Sequence, residues 1–157
     1  MTTEALSVTT TVPAPADAVF MVLADPASHA AIDGTGWVCE PLDGERLTTP
    51  GQVFRMNMYH PDHPDGQYVV ANQVRELDPP HAIAWEPGTE DDEGHLSLGG
   101  WSWRYDLAPV VDGGMQVRLT YDWSGATPQA REVIGFPPFG VEHLEDSLRH
   151  LAVLATA

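Results

Sequence analysis

The side chains of this chain that could do chemistry fall into a few short clusters. His60-Pro61-Asp62-His63-Pro64-Asp65-Gly66 packs two imidazoles and two carboxylates into one loop, and Glu93 and His95 sit in a second acidic stretch. Metal sites are built from such donors. However, the two prolines hold the first loop extended, its spacing fits no metal motif, and a Pro, Asp, His and Gly-rich hairpin connection needs no ion to explain it. The expectation is therefore no metal and no cofactor. The acidic run Glu90-Asp91-Asp92-Glu93 reads as a solvated loop.

His143, Ser147 and His150 stand at i, i+4 and i+7 of a helical pattern. They do not make a triad, because all three project from one helix and no carboxylate is fixed by sequence to orient a base. They read as a partly exposed polar flank. Tyr59, His60 and His143 are the groups available for proton transfer if the chain is an enzyme. The sequence holds no P-loop, no dinucleotide GxGxxG, no GxSxG elbow and no helical HExxH. Cys39 has no neighbouring cation to lower its pKa and reads as a small apolar residue. No catalytic residue can be named.

Aromatic residues carry more information. Phe54, Tyr68, Trp85, Trp101, Trp103, Tyr105, Tyr121 and Trp123 all fall on the apolar side of alternating segments, with Met56 and Met58 among them. Indole and phenol tips need hydrogen-bond partners when buried, so this many rings under one helix pack either around a pocket or with their tips at the rim. Both arrangements stay open at this point. Asn72 has the wrong polarity for its face, and a buried amide must bond strand backbone, water or a ligand.

The elements that would position these groups follow from periodicity. Leu6, Val8, Thr10 and Val12 alternate as a strand that Pro13 ends; Val19, Phe20 and Leu23 then recur at helical spacing until Pro26, and a short helical turn, Ala27 to Ile32, closes at Gly34. From Gly36 onward the pattern is strands and turns. Period-two segments run through Phe54–Met58, Tyr68–Arg75, Ile83–Trp85, Trp101–Leu107 and Val117–Trp123, with Arg104, Asp106, Arg118 and Asp122 on the outer face, where cross-strand pairing would be worth about 0.2 to 1 kcal/mol each. Val141, Leu144, Leu148, Leu151 and Ala155 form one stripe of a final helix after Pro137, Pro138 and Gly140. Strands closed by a helix, without β-α-β alternation, predict an α+β domain with the long C-terminal helix on one face of an antiparallel sheet.

Composition narrows the function classes. The chain has 157 residues, enough for one domain, and it holds no internal repeat or low-complexity linker: the 14 prolines and 14 glycines are spread between patterned segments. It has no lysine, 7 Lys+Arg against 23 Asp+Glu, and a formal net charge of -16, which has the wrong sign for nucleic acid or an anionic membrane surface. The longest apolar run, Ala18–Ala24, is far short of the roughly 20 residues a membrane span needs. Met1–Val12 carries neither a basic residue nor a long apolar stretch, so it does not read as a secretory signal, and a lone cysteine fits a reducing compartment. A cytoplasmic protein is expected, with a homodimer among the assemblies open to it.

Local phrasing adds a resemblance. Val12-Pro13-Ala14-Pro15-Ala16-Asp17-Ala18-Val19-Phe20, Leu23-Ala24-Asp25-Pro26-Ala27-Ser28-His29 and Ile32-Asp33-Gly34-Thr35-Gly36 resemble the opening of the bacterial, polyketide cyclase/dehydrase-like branch of the START-like (SRPBCC) superfamily. Trp101-Ser102-Trp103-Arg104-Tyr105-Asp106-Leu107 and Thr120-Tyr121-Asp122-Trp123-Ser124-Gly125 resemble its later strands. The resemblance implies a helix-grip fold: a curved antiparallel sheet of about seven strands around the C-terminal helix, two short helices after the first strand, and a cavity for a small hydrophobic or aromatic molecule. Binding or carriage of such a molecule is the leading expectation. The residues expected to contact it are Phe54, Met56, Met58, Tyr68, Asn72, Trp85, Trp101, Trp103, Tyr105, Tyr121 and Trp123, with Leu144 and Leu148 of the helix. The alternatives are a cyclase/dehydratase-like enzyme using the same cavity and a chaperone-like or toxin-like interaction module, because this fold hosts several functions.

Overall fold

The computed structural model describes residues 4–33, 37–61, 66–111, 113–133 and 135–156. Strand β1 (Ala5–Val12) alternates as expected. Pro13 and Pro15 then turn the chain into helix α1 (Ala16–Leu23), which buries Val19, Phe20 and Leu23. A 3-10 turn at Pro26–Ser28 follows, capped by the Asp25 carboxylate, which accepts the Ala27 N–H at 3.0 Å. It leads directly into helix α2 (His29–Asp33).

The remaining strands are β2 (Val38–Pro41), β3 (Val53–Tyr59), β4 (Gln67–Asp78), β5 (Ala82–Glu90), β6 (Leu96–Leu98), β7 (Ser102–Pro109) and β8 (Met115–Asp122). They form one curved antiparallel sheet in the order β1-β8-β7-β5-β4-β3-β2, with β6 paired to β5 off that path. One edge of β5 is shared. Its first half, Ala82–Trp85, pairs with β7, and its last part, Gly88–Glu90, pairs with β6. The chain passes from one partner to the other through Gly100, at φ +94°, where a Cβ would collide with the Gly125 carbonyl.

Helix α3 (Pro128–Val133) and helix α4 (Val141–Ala155) complete the chain. Gly140 caps α4 at its N-terminus as the spacing predicts. The core lies between the concave face of the sheet and the helices: Val12, Val19, Leu23, Ile83, Val117, Leu119, Leu144, Leu148 and Leu151 are all fully enclosed. Burying each such side chain stabilises the fold by about 1.5 to 3 kcal/mol before entropy is counted.

Four features depart from the periodicity reading. Strands β2 and β6, of 4 and 3 residues, are too short to show alternation. Helix α3 has no apolar stripe; Arg131 holds it by donating to the carbonyls of Trp123 and Ala126 at 3.0 and 3.1 Å and by pairing with Glu4 at 2.7 Å. Trp123 lies just past β8, although its N–H still donates to the Glu4 carbonyl. Glu90 of the acidic run belongs to β5 and pairs with Arg55 at 2.6 Å, and only Asp91–Glu93 form the exposed turn, in which Asp91 accepts the backbone N–H groups of Glu93 and His95. Among the described residues no helix is long and apolar enough to cross a membrane.

Candidate functional site

Strands β3, β4, β5 and β7 present their concave faces to α2 and α4, and between them is a half-enclosed cavity of about 140 Å³. Met56 and Met58 come from β3, Asn72 from β4, Trp85 from β5, and Trp103 and Tyr105 from β7. These six are residues that the alternation had placed on the inner face. His29, Ile32 and Asp33 come from α2, Trp37 and Val38 from the start of β2, and Phe139, His143 and Ser147 from α4 and the turn before it.

The cavity wall is aromatic but not free of polarity. His29 is sandwiched: its ring stacks on Trp85 at 5.0 Å and meets Phe54 edge-on at 5.5 Å. Its Nε2 lies 2.8 Å from the Leu23 carbonyl, which can only accept, so Nε2 carries the proton and Nδ1 keeps its lone pair. Burial holds the His29 pKa below its ordinary value, which leaves the ring neutral at pH 7. His143 packs against Phe139 at 4.5 Å and lies edge-on to Trp103, with Nε2 3.4 Å from an Asp33 carboxylate oxygen. Burial lowers its pKa as well; the carboxylates of Asp33 and Asp146 oppose that shift, and nearby His150 adds to it. Tyr105 is 4% exposed, and burial, reinforced by the Asp33 charge, drives its pKa upward, so its hydroxyl stays protonated.

Three buried polar groups in the wall have no hydrogen-bond partner among the described residues. They are the amide of Asn72, 5% exposed, the hydroxyl of Ser147, 3% exposed, and the hydroxyl of Tyr105. Among the described residues no fully enclosed side-chain nitrogen or oxygen is left unpaired, so these atoms are reached from the cavity and not sealed in the packing. Each is an atom that a guest in the cavity could bond.

The other residues expected at the site lie elsewhere. Trp101, Tyr121 and Trp123 join Phe136 in an adjoining cluster of rings, with centroid separations of 5.6 Å for Trp101–Phe136 and 5.7 Å for Tyr121–Trp123. Phe54 stands behind the wall, against His29 and Trp85. Tyr68 is half-buried on β4 and does not line the cavity. Leu144 and Leu148 face the core, and the neighbouring stripe of α4 with His143 and Ser147 faces the cavity. The flank expected to be partly exposed is turned toward the cavity: His143 and His150 are half-buried, Ser147 is buried, and His150 Nδ1 lies 3.0 Å from the Ile32 carbonyl. Of the proton-transfer candidates only His143 reaches the cavity; Tyr59 is exposed and His60 packs on Trp37 at 4.6 Å.

Asp62, His63 and Asp65 lie outside the described residues, among which no three His, Cys, Asp or Glu side chains gather as a metal-holding group. His29, Asp33, Trp37 and Phe139 escaped the sequence reading because they belong to short helices or connections. The local signal that could have found three of them is the chain from His29 to Trp37, where a histidine, a carboxylate and a tryptophan cluster just after a helix stop.

Comparison with known proteins agrees with this architecture. The family described as polyketide cyclase / dehydrase and lipid transport matches residues 3–155. The chain belongs to that family. Solved structures with the same fold include a protein from Chromobacterium violaceum (TM-score 0.69, 20% identity, covering 98% of each chain). Others are one from Mycobacterium smegmatis (0.66, 20%, covering 98% of this chain and 92% of that one) and one from Rhodobacter sphaeroides (0.66, 22%, 98% and 93%). Identities this low establish the fold alone. No curated protein matches the sequence. Membership in the polyketide cyclase / dehydrase and lipid transport family is consistent with a ligand-binding cavity and leaves the ligand open.

Proposed function

We propose that this protein binds a small molecule of about single-ring size in the cavity between the sheet and α4. The observation that carries the reading is the Asn72 amide, buried on the inner face, without a hydrogen-bond partner among the described residues, and facing a ring-lined hollow. Leaving such a group unpaired costs about 1 to 3 kcal/mol, which a bound molecule would recover. Volume sets the size of the guest. A dry cavity of roughly 150 Å³ takes up benzene, so the 140 Å³ here suits one ring with a short substituent and is too small for an extended polyketide chain or a whole lipid. That volume supports a reading in which the ligand is small.

Trp85 and Trp103 in the wall supply the readout. Titration with phenol and benzyl alcohol should change the tryptophan emission and saturate, whereas anthracene, with three fused rings, should not bind. Ser147→Met, which pushes a longer side chain into the hollow, should abolish the response while thermal melting shows the variant folded. A flat response to every single-ring compound, or an undiminished one in the folded Ser147→Met variant, overturns the reading.

A further inference from the structure

The charge of the cavity wall is one-sided. Among the described residues Asp33 is the only Asp, Glu, Lys or Arg in the lining, which it shares with the rings of Trp37, Trp85, Trp103, Tyr105 and Phe139. We infer that the cavity selects a small organic cation, an ammonium group carried on one ring or less, over neutral and anionic molecules of the same shape. The inference rests on the cavity being a binding site, and it adds the chemical class of the guest.

Three observations converge on it. Aromatic rings carry negative quadrupole density on their faces, which attracts a desolvated cation and not a neutral or anionic group. The Asp33 carboxylate then provides the counter-charge, and Asn72 and Ser147 supply oxygen acceptors for ammonium protons, so the penalty for taking the charge out of water is offset by specific partners. His143, with Nε2 3.4 Å from an Asp33 oxygen, does not cancel that charge at pH 7, because burial holds its imidazole pKa below the ordinary value. An anion would meet Asp33 with no Lys or Arg in the wall to receive it. The formal charge of -16 over the whole chain adds long-range attraction in the same direction.

Calorimetric titration of the full-length protein with benzylamine, benzyl alcohol and benzoate at pH 7 separates the possibilities. Benzylamine, protonated at this pH, should bind at least about ten-fold more tightly than benzyl alcohol, and benzoate more weakly than either. Asp33→Asn should bring benzylamine down to the affinity of benzyl alcohol. Phe139→Leu, which removes one ring face and no charge, should narrow the preference and serves if Asp33→Asn does not fold. The preference should also persist at about 0.5 M salt, where attraction to the outer surface is screened. If benzyl alcohol or benzoate matches benzylamine, or the preference disappears in salt, the inference falls while the binding site stands. If none of the three binds, both fall.

Discussion

On the outer face of the sheet Arg104 clamps Asp106 on its own strand, with both Asp106 oxygens 3.0 Å from Nε, and also reaches Glu76 on β4. On the inner face Asn72 and Ser147 find no hydrogen-bond partner among the described residues. The outer groups line a recess of about 530 Å³, several times the inner hollow, together with Asp78, His81 and Arg118. Size alone would favour the outer recess. Its charges, however, pair with one another in contact with water, where such pairs contribute little; a buried group without a partner is the stronger sign of a missing guest. Unmet polarity distinguishes a candidate site from a dent in the surface.

The contrast can be broken experimentally, most forcefully on α4, whose two adjacent stripes divide the same roles. Leu148→Ala should lower stability by about 2 to 5 kcal/mol in urea unfolding, since a fully enclosed side chain leaves a void. Ser147→Ala, one residue away, should change stability little; a loss as large as that of Leu148→Ala would mean the hydroxyl is a structural partner after all. Lowering the pH tests the histidines of the inner face. Both His29 and His143 have folded pKa values below 6.5, so the unfolded chain takes up protons first as pH falls below that value. Stability is thus fully present above about pH 6.5 and declines as the pH drops toward the folded pKa values, with a slope of up to about 1.4 kcal/mol per pH unit for each ring. His29→Phe should flatten part of that slope in chemical denaturation measured at pH 7 and pH 6; an unchanged slope would show the ring is not the group responsible.

Asn72→Leu should raise stability by about 1 kcal/mol while abolishing the fluorescence response to benzyl alcohol. If it instead destabilises the fold and leaves the response intact, the amide belongs to the framework and the inner face loses its distinction. The smallest effect is expected outside: Arg104→Ala should cost less than about 1 kcal/mol, because its pairs are open to solvent.

These differences also explain what could be read in the chain. Met56, Met58, Asn72, Trp85, Trp103 and Tyr105 were legible as cavity residues because strands write burial directly, every second side chain pointing inward. Helix α4 hides its orientation: stripes about 100° apart are both compatible with burial, and only the docking of α4 against α2 and β1 puts Leu144 and Leu148 in the core and His143 and Ser147 on the hollow. Residues such as Asp33 and Trp37 sit where no periodicity exists. The ring excess on the inner face was visible, but its division into a cavity wall and the Trp101, Tyr121 and Trp123 cluster depends on Phe136 and Phe139, brought in by the segment before α4.

Strand β2 has a consequence for how copies of the chain meet. It covers only part of the seven-residue β3, its pairing register slips between Val38 and Pro41, and the proline that ends it has no N–H to offer a newcomer. At that margin of the sheet, a second molecule finds a broken ladder in place of a template, which guards a chain rich in β-structure against growth into fibrils from this side.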